Sequence, residues 1–256
     1  STSKTFTATA LTTSVADTAG GAVDINAGAT TGAVSITGTI TTTGGAAAAA
    51  GAGKTGGAVT IDGLTIAVAG ITTSGSATNA AGDAAGGSAG LITLNTTAGG
   101  TITLAGNLTA TGGAGVGTNR SGGTGGAVTF NDPVVLNATP VTITTTPGAF
   151  TGTGTSTGGA ITFLSTINAT AAGTQGLTLV AGDTGAAGVT TGGDIAVTGI
   201  VGATRLDALT ITSADDVTFS AAVTADSVTS TSKTFTATAL TTSVADTAGG
   251  AVDINA

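Results

Sequence analysis

Aliphatic residues alternate with small polar ones along most of the chain. The phrase Gly-Gly-Ala-Val-Thr-Ile returns in degenerate form as GGAVDI (20–25), GGAVTI (56–61), AGLITL (89–94), GGAVTF (125–130), GGAITF (158–163), GGDIAV (192–197), ADDVTF (214–219) and GGAVDI (249–254). In each phrase two apolar side chains flank one residue of another kind. A period of two belongs to a β-strand with one buried face. The pairs Val23 and Ile25, Val59 and Ile61, Ile92 and Leu94, and Val128 and Phe130 are therefore read as an inward-facing core stack. Ile161 and Phe163, Ile195 and Val197, and Val217 and Phe219 continue it.

The spacing of these phrases sets the architecture. Their first inward residues stand at 23, 59, 92, 128, 161, 195, 217 and 252, giving steps of 36, 33, 36, 33, 34, 22 and 35 residues. Periods of this size mark solenoids, propellers or arrays. Each step holds about three short strands, such as AITF, TINAT and GLTLV after residue 158. Hairpin turn signals are almost missing: Asp-Gly occurs once, at Asp62-Gly63, and helical periodicity is absent apart from the ambiguous alanines 46–50. The expected fold is all-β, a right-handed parallel β-helix (β-solenoid) with about seven three-stranded coils per 229-residue repeat.

That longer repeat is explicit. Residues 1–27 return without change as residues 230–256, an offset of 229. Residues 1–229 are read as one unit of a tandem array and 230–256 as the start of the next, with no natural cap at either end. An overlap added when one repeat was excised is the plainer alternative. The seven steps sum to the long period, so the sequence predicts that Val252 stacks in the same column as Val23.

Glycine-rich stretches precede most of the phrases, for example GGAAAAAGAGKTGG (44–57) and TGGAGVGTNRSGGTGG (111–126). They are expected to project as variable loops from one corner of the coil. The 22-residue step from Ile195 to Val217 leaves almost no room for one.

Composition narrows the chemistry. The 256 residues include 45 glycines, no Cys, His, Met, Trp, Tyr or Glu, and 13 aspartates against five basic residues, for a net charge of −8. An acidic chain without aromatic platforms is unsuited to nucleic acid and to anionic membrane surfaces. No run approaches the length of a membrane span, so direct membrane insertion is not expected. General acid–base, thiol and transition-metal chemistry lack their usual side chains. The low charge content, 7%, suits stacked coils, in which like charges would repel along each column. The outward column Asp24, Thr60, Thr93, Thr129, Thr162, Ala196 and Thr218 is accordingly mostly threonine.

Four features invite a sharper reading. Residues 48–55, Ala-x-x-x-x-Gly-Lys-Thr, match a loosened P-loop, but Gly56, Gly57 and a strand follow where a phosphate-cradling helix is required. Asp215 and Asp216 are the adjacent carboxylates, with Arg205 and Asp207 one turn back. They could serve a polysaccharide-cleaving groove or form a polar turn in place of Gly-Gly, and the turn is favoured. Asn-x-Ser/Thr sequons at Asn95, Asn107, Asn119, Asn137 and Asn168 are as numerous as this much Thr and Ser would produce by chance. Thr-x-Thr phrases suggest ice binding, which needs a regular threonine face without loops. The aspartates lack paired calcium-ligand spacing. No catalytic, metal or cofactor residues are assigned, and an enzyme is not expected.

The stretches GGAITFLSTINATAAGTQGLTLVAG and GGAVTFNDPVVLNATPVTI resemble the β-strand repeat regions of giant bacterial surface proteins, the filamentous-haemagglutinin-like and autotransporter-adhesin-like class. So does GGDIAVTGIVGATRLDALTITSADDVTFSAAVTADSV. The resemblance covers essentially the whole chain. It implies a secreted or cell-surface filament segment serving matrix, attachment or cell–cell contact, with further copies of itself as head-to-tail partners. The alternative is an adhesive module whose corner loops bind glycan or another cell-surface ligand.

Overall fold

The computed structural model describes residues 5–28, 32–48, 50–79, 84–97, 99–117, 120–150, 154–182, 189–243 and 250–256. Among them there is no helix; the strands form a parallel β-solenoid. Each coil runs through three faces before the next coil is laid on top of it.

The first face stacks Val23–Asn26, Val59–Gly63, Ile92–Thr96, Val128–Phe130, Ile161–Phe163, Ile195–Val197 and then residues 217–219 of a long closing strand, each parallel to the next. The second face stacks Thr5–Ala8 on residues 33–36, then residues 65–68, Ile102–Leu104, Val134–Leu136 and Ile167–Ala169, and reaches Val201. The third stacks Leu11–Thr12 on residues 40–41, then 71–72, Leu108–Thr109, Val141–Thr144, Leu177–Val180 and residues 209–213. The register is maintained because the inward-facing apolar side chains of each face meet apolar ones above and below, and a one-residue slip would turn the whole set outward.

Inside the tube the apolar core is continuous. Val59, Ile61, Ile92, Leu94, Val128, Phe130, Ile161, Phe163, Ile195, Val197, Val217 and Phe219 are buried, Ile25 is nearly so and Val23 is half-buried. Burying such side chains stabilises the fold by about 1.5–3 kcal/mol each. Phe130 and Phe163 stack, with centroids 4.4 Å apart and planes 10° from parallel. Val197 separates Phe163 from Phe219, which instead meets Phe235 at 5.8 Å and 46°. Val34, Val68, Leu104, Leu136 and Ile167 fill the second wall, and Ile40, Ile71, Leu108, Ile143 and Leu179 the third.

From Val201 to Thr242 the chain forms one uninterrupted strand of 42 residues that bends around the faces with no glycine-rich excursion. It turns within 22 residues from Ile195 to Val217 and then more tightly. Thr234 bonds to Asp216, Lys233 to Asp215, and Thr238 to the carbonyl of Ser220, each 18 residues apart. This extra short coil corrects the expected 35-residue step. Val252 does not lie on Val217; it pairs with Val228 in the register Val228↔Val252, Thr229↔Asp253, Ser230↔Ile254. The reason is burial. Val223, Ala225 and Val228 are fully enclosed in the short coil, and a direct step from Val217 to Val252 would leave them on an excursion in water.

Candidate functional site

The glycine-rich stretches carry the most distinctive geometry of the molecule, and it differs from the expected projecting loops. Each leaves the third face, runs outward, turns and comes back to the first face. The outgoing arms (42–48, 73–79, 111–117 and 145–150) and the returning arms (50–57, 84–90, 120–126 and 154–159) are packed backbone on backbone as a flange along one edge of the tube.

A reciprocal bracket closes the root of three of the long excursions. The hydroxyl of Thr42 donates to the carbonyl of Gly57 at 2.5 Å, and the Gly57 amide donates to the carbonyl of Thr42 at 2.6 Å. Thr73 and Gly90 repeat this at 2.7 and 2.7 Å, and Thr145 and Gly159 at 2.6 and 2.7 Å. All three threonines are fully buried. Where alanine replaces threonine, at Ala110 and Ala181, the amide bond from Gly126 or Gly193 remains.

Further out, hydrogen bonds run in two directions. Along the stack, outgoing arm bonds to outgoing arm (Gly44 to Ser74, Gly75 to Thr111, Gly112 to Thr146) and returning arm to returning arm (Gly53 to Ala85, Gly86 to Ser121). Between the arms a zigzag of amides climbs the flange: Gly148 donates to Gly123, Gly123 to Gly113, Gly113 to Gly87, Gly87 to Ser76 and Ser76 to Lys54, at 2.8–3.0 Å. A Cβ on Gly113 would overlap the carbonyl oxygen of Ser76, and one on Gly123 that of Gly87. Glycine is needed because backbones approach in two directions, along the stack and between the arms, and in a sheet the second of these is taken by side chains.

Residues 48–55 lie in this flange. Lys54 donates its amide to Ser76 Oγ (2.8 Å), accepts the Ser76 amide on its carbonyl, and pairs its ammonium with Asp17 Oδ1 at 2.9 Å. The Lys54 hydrogen bond, aided by the Ala48 amide and the lysine charge, holds the Asp17 carboxyl below its ordinary value. Gly56 and Gly57 lead straight into the strand at Val59. Among the described residues no helix N-terminus faces the lysine, so they lack the helix that a P-loop sets against phosphate.

Asp215 and Asp216 fall within the long strand, where Asp215 takes the place of the second glycine of the coil below and Asp216 that of Asp194. Asp215 accepts from the Gly192 amide at 2.9 Å and pairs with Lys233 at 2.8 Å. Asp216 accepts from Thr234 Oγ1 at 2.7 Å. Arg205 turns away from both and pairs with Asp226, while the Asp207 amide bonds to the carbonyl of Gln175. The two carboxylates thus lie in a strand and not in the expected turn; each has its own partner, and no third carboxylate joins them in a metal-holding group among the described residues.

Of the sequon asparagines, Asn95 donates to Asp62 Oδ1 at 2.7 Å, Asn107 accepts from the Thr142 amide, Asn168 accepts from the Thr204 amide, and Asn137 is exposed. Asn119 lies outside the described residues. Two threonine columns face outward: Thr60, Thr93, Thr129 and Thr162 on the first face, and Thr41, Thr72, Thr109 and Thr144 on the third. A groove of about 450 Å³ opens on the flange between Gly44, Ala46, Ala47, Ser76, Thr78 and Asn79, lined by methyl, hydroxyl and amide groups.

Sequence reasoning missed the bracket and the zigzag. The signal for the bracket was present in the threonines that follow the third strand and precede glycine, as in TITTTGG (39–45) and GITTSG (70–75). Comparison with family models, with curated protein sequences and with solved structures finds no match to this chain.

Proposed function

We propose that this chain is a structural segment of a long extracellular or cell-surface filament, built by tandem repetition of the 229-residue unit and serving matrix, attachment or cell–cell contact. The observation that carries the reading is the unbroken first-face column from Val23 to Val217, whose register allows coil after coil to be added. A parallel coil offers the same ladder of amides and carbonyls to whatever coil follows. The exact recurrence of residues 1–27 at 230–256 supplies the means of continuing it. The side chains support a passive role: threonine dominates the outward column of the first face, each adjacent carboxylate is tied to its own partner, and the flange is backbone packed on backbone. No catalytic step is assigned.

Electron microscopy of a chain carrying several complete units tests this. The expected result is a rod lengthening by roughly 37 Å per unit, between seven and eight coils at the strand spacing. A globule that grows in all directions with unit number overturns it.

A further inference from the structure

The two identical 27-residue segments are not wound alike. In the first copy, Thr5–Ala8 lie on the second face, Leu11–Thr12 on the third, and Val23–Asn26 on the first. In the second copy the same residues each fall one face earlier. Phe235, the counterpart of Phe6, packs on Phe219 of the first face. Ser243, the counterpart of Ser14, donates its amide to Ala225, whose neighbour Thr224 lies over Gly202 of the second face. Val252–Asn255, the counterpart of Val23–Asn26, pairs with residues 228–231, which follow the second face and so lie on the third.

The corner moves with the strands. In the first copy Thr13 Oγ1 donates to the carbonyl of Gly21 between the third and first faces. In the second copy the equivalent bond, Thr242 Oγ1 to Gly250 at 2.8 Å, sits between the second and third faces, where Gly250 lies against the backbone of Asp226.

We infer that successive 229-residue units are wound one face out of phase, so that the glycine flange of each unit emerges from a different edge of the rod than that of the unit before. The inference rests on the tandem-filament reading for its extension beyond one unit. Its cause is local: the flange-free winding from Val201 to Thr242 inserts a short coil whose length does not bring the repeat back to its starting face. A filament so built presents flanges on all its edges in rotation, and neighbouring copies can meet it flange to flange from more than one side.

The chain has no cysteine, so introduced pairs report without background. T229C/D253C joins two exposed residues that are in register in the rotated phase. T218C/D253C joins the residues that would face each other if Val252 continued the first-face column. T93C/T129C, an in-register pair elsewhere on the first face, is the control. Under mild oxidation of the 256-residue chain, T229C/D253C is expected to link at the rate of the control, and T218C/D253C not to link. After denaturation and trypsin, which cuts at Lys233 between the test pairs and at Arg120 between the control pair, each link is read as two peptides that separate only on reduction. Linking of T218C/D253C instead, or of the control alone, overturns the inference. Loss of the control link as well removes the stack and the inference with it. T229C/D253C linking in a chain whose multi-unit form is globular leaves the phase standing and refutes only the filament reading.

Discussion

The hydroxyl of Thr73 donates to the carbonyl of Gly90 while the amide of Gly90 donates to the carbonyl of Thr73, both at 2.7 Å, although the two stand 17 positions apart in the chain. The excursion that separates the two therefore begins and ends at a single fixed point on the wall of the tube. The same holds for Thr42 with Gly57 and Thr145 with Gly159.

Replacing Thr73 by valine keeps the shape and removes the hydroxyl, leaving one lone pair of a buried carbonyl without its donor. The expected loss is about 1–3 kcal/mol, read as a lowered midpoint in urea unfolding. Thr72→Val, one residue earlier on the outward column, is the control and should change stability by less than about 0.5 kcal/mol. Equal effects at the two positions would remove the bracket as a stabilising element.

Gly113→Ala places a methyl group against the carbonyl of Ser76. It is expected to destabilise by about 1–3 kcal/mol or more and to raise amide exchange at Gly87 and Gly123, its hydrogen-bond partners in the zigzag. Gly99→Ala is the contrasting change: φ is +77° there but no atom lies within 4 Å of the new Cβ. Only the backbone cost of about 1–2 kcal/mol applies, with exchange in the flange unaltered.

Phe163→Ala should cost about 3–5 kcal/mol, because the cavity lies between coils that hold each other in register. A double-mutant cycle with Phe130→Ala is expected to give a coupling of about 0.5–1.5 kcal/mol from the stacked pair. Additive losses would show that the rings contribute through burial alone.

The Asp17 carboxyl is held below its ordinary value, first by the hydrogen bond from Lys54. A depressed folded-state value means the contribution is fully present above the unfolded carboxylate range and is lost as pH falls through the folded value. NMR titration of Asp17 is expected to move up toward the ordinary range in Lys54→Met, and to do so partly in high salt, since the pair is solvent-accessible. No change on either treatment would show that the lysine does not set it.

The core was legible because the period of two is local: Val59-Thr60-Ile61 states its own inward and outward faces, and repetition states what lies above and below. The flange was not, because Gly44 and Gly113 reveal nothing until the partner backbones are placed around them. Glycine in a sequence marks a loop and a close backbone approach equally well. The phase error at Val252 has another origin. Counting from phrase to phrase treats every coil as passing once through a Gly-Gly corner, and residues 217–242 wind round without one. Val223, Ala225 and Val228 carried the missing alternation, in a stretch where alanine blurs it.

The two hydrogen-bond systems of the flange point opposite ways. In the zigzag from Gly148 to Lys54 each amide points toward earlier residues, whereas Gly44, Gly75 and Gly112 donate toward later ones. Their peptide dipoles oppose each other, as they do in a sheet and as they do not in a helix. Lengthening the stack thus adds opposed peptide groups together, so its two ends gather less charge than those of a helix of aligned peptides would.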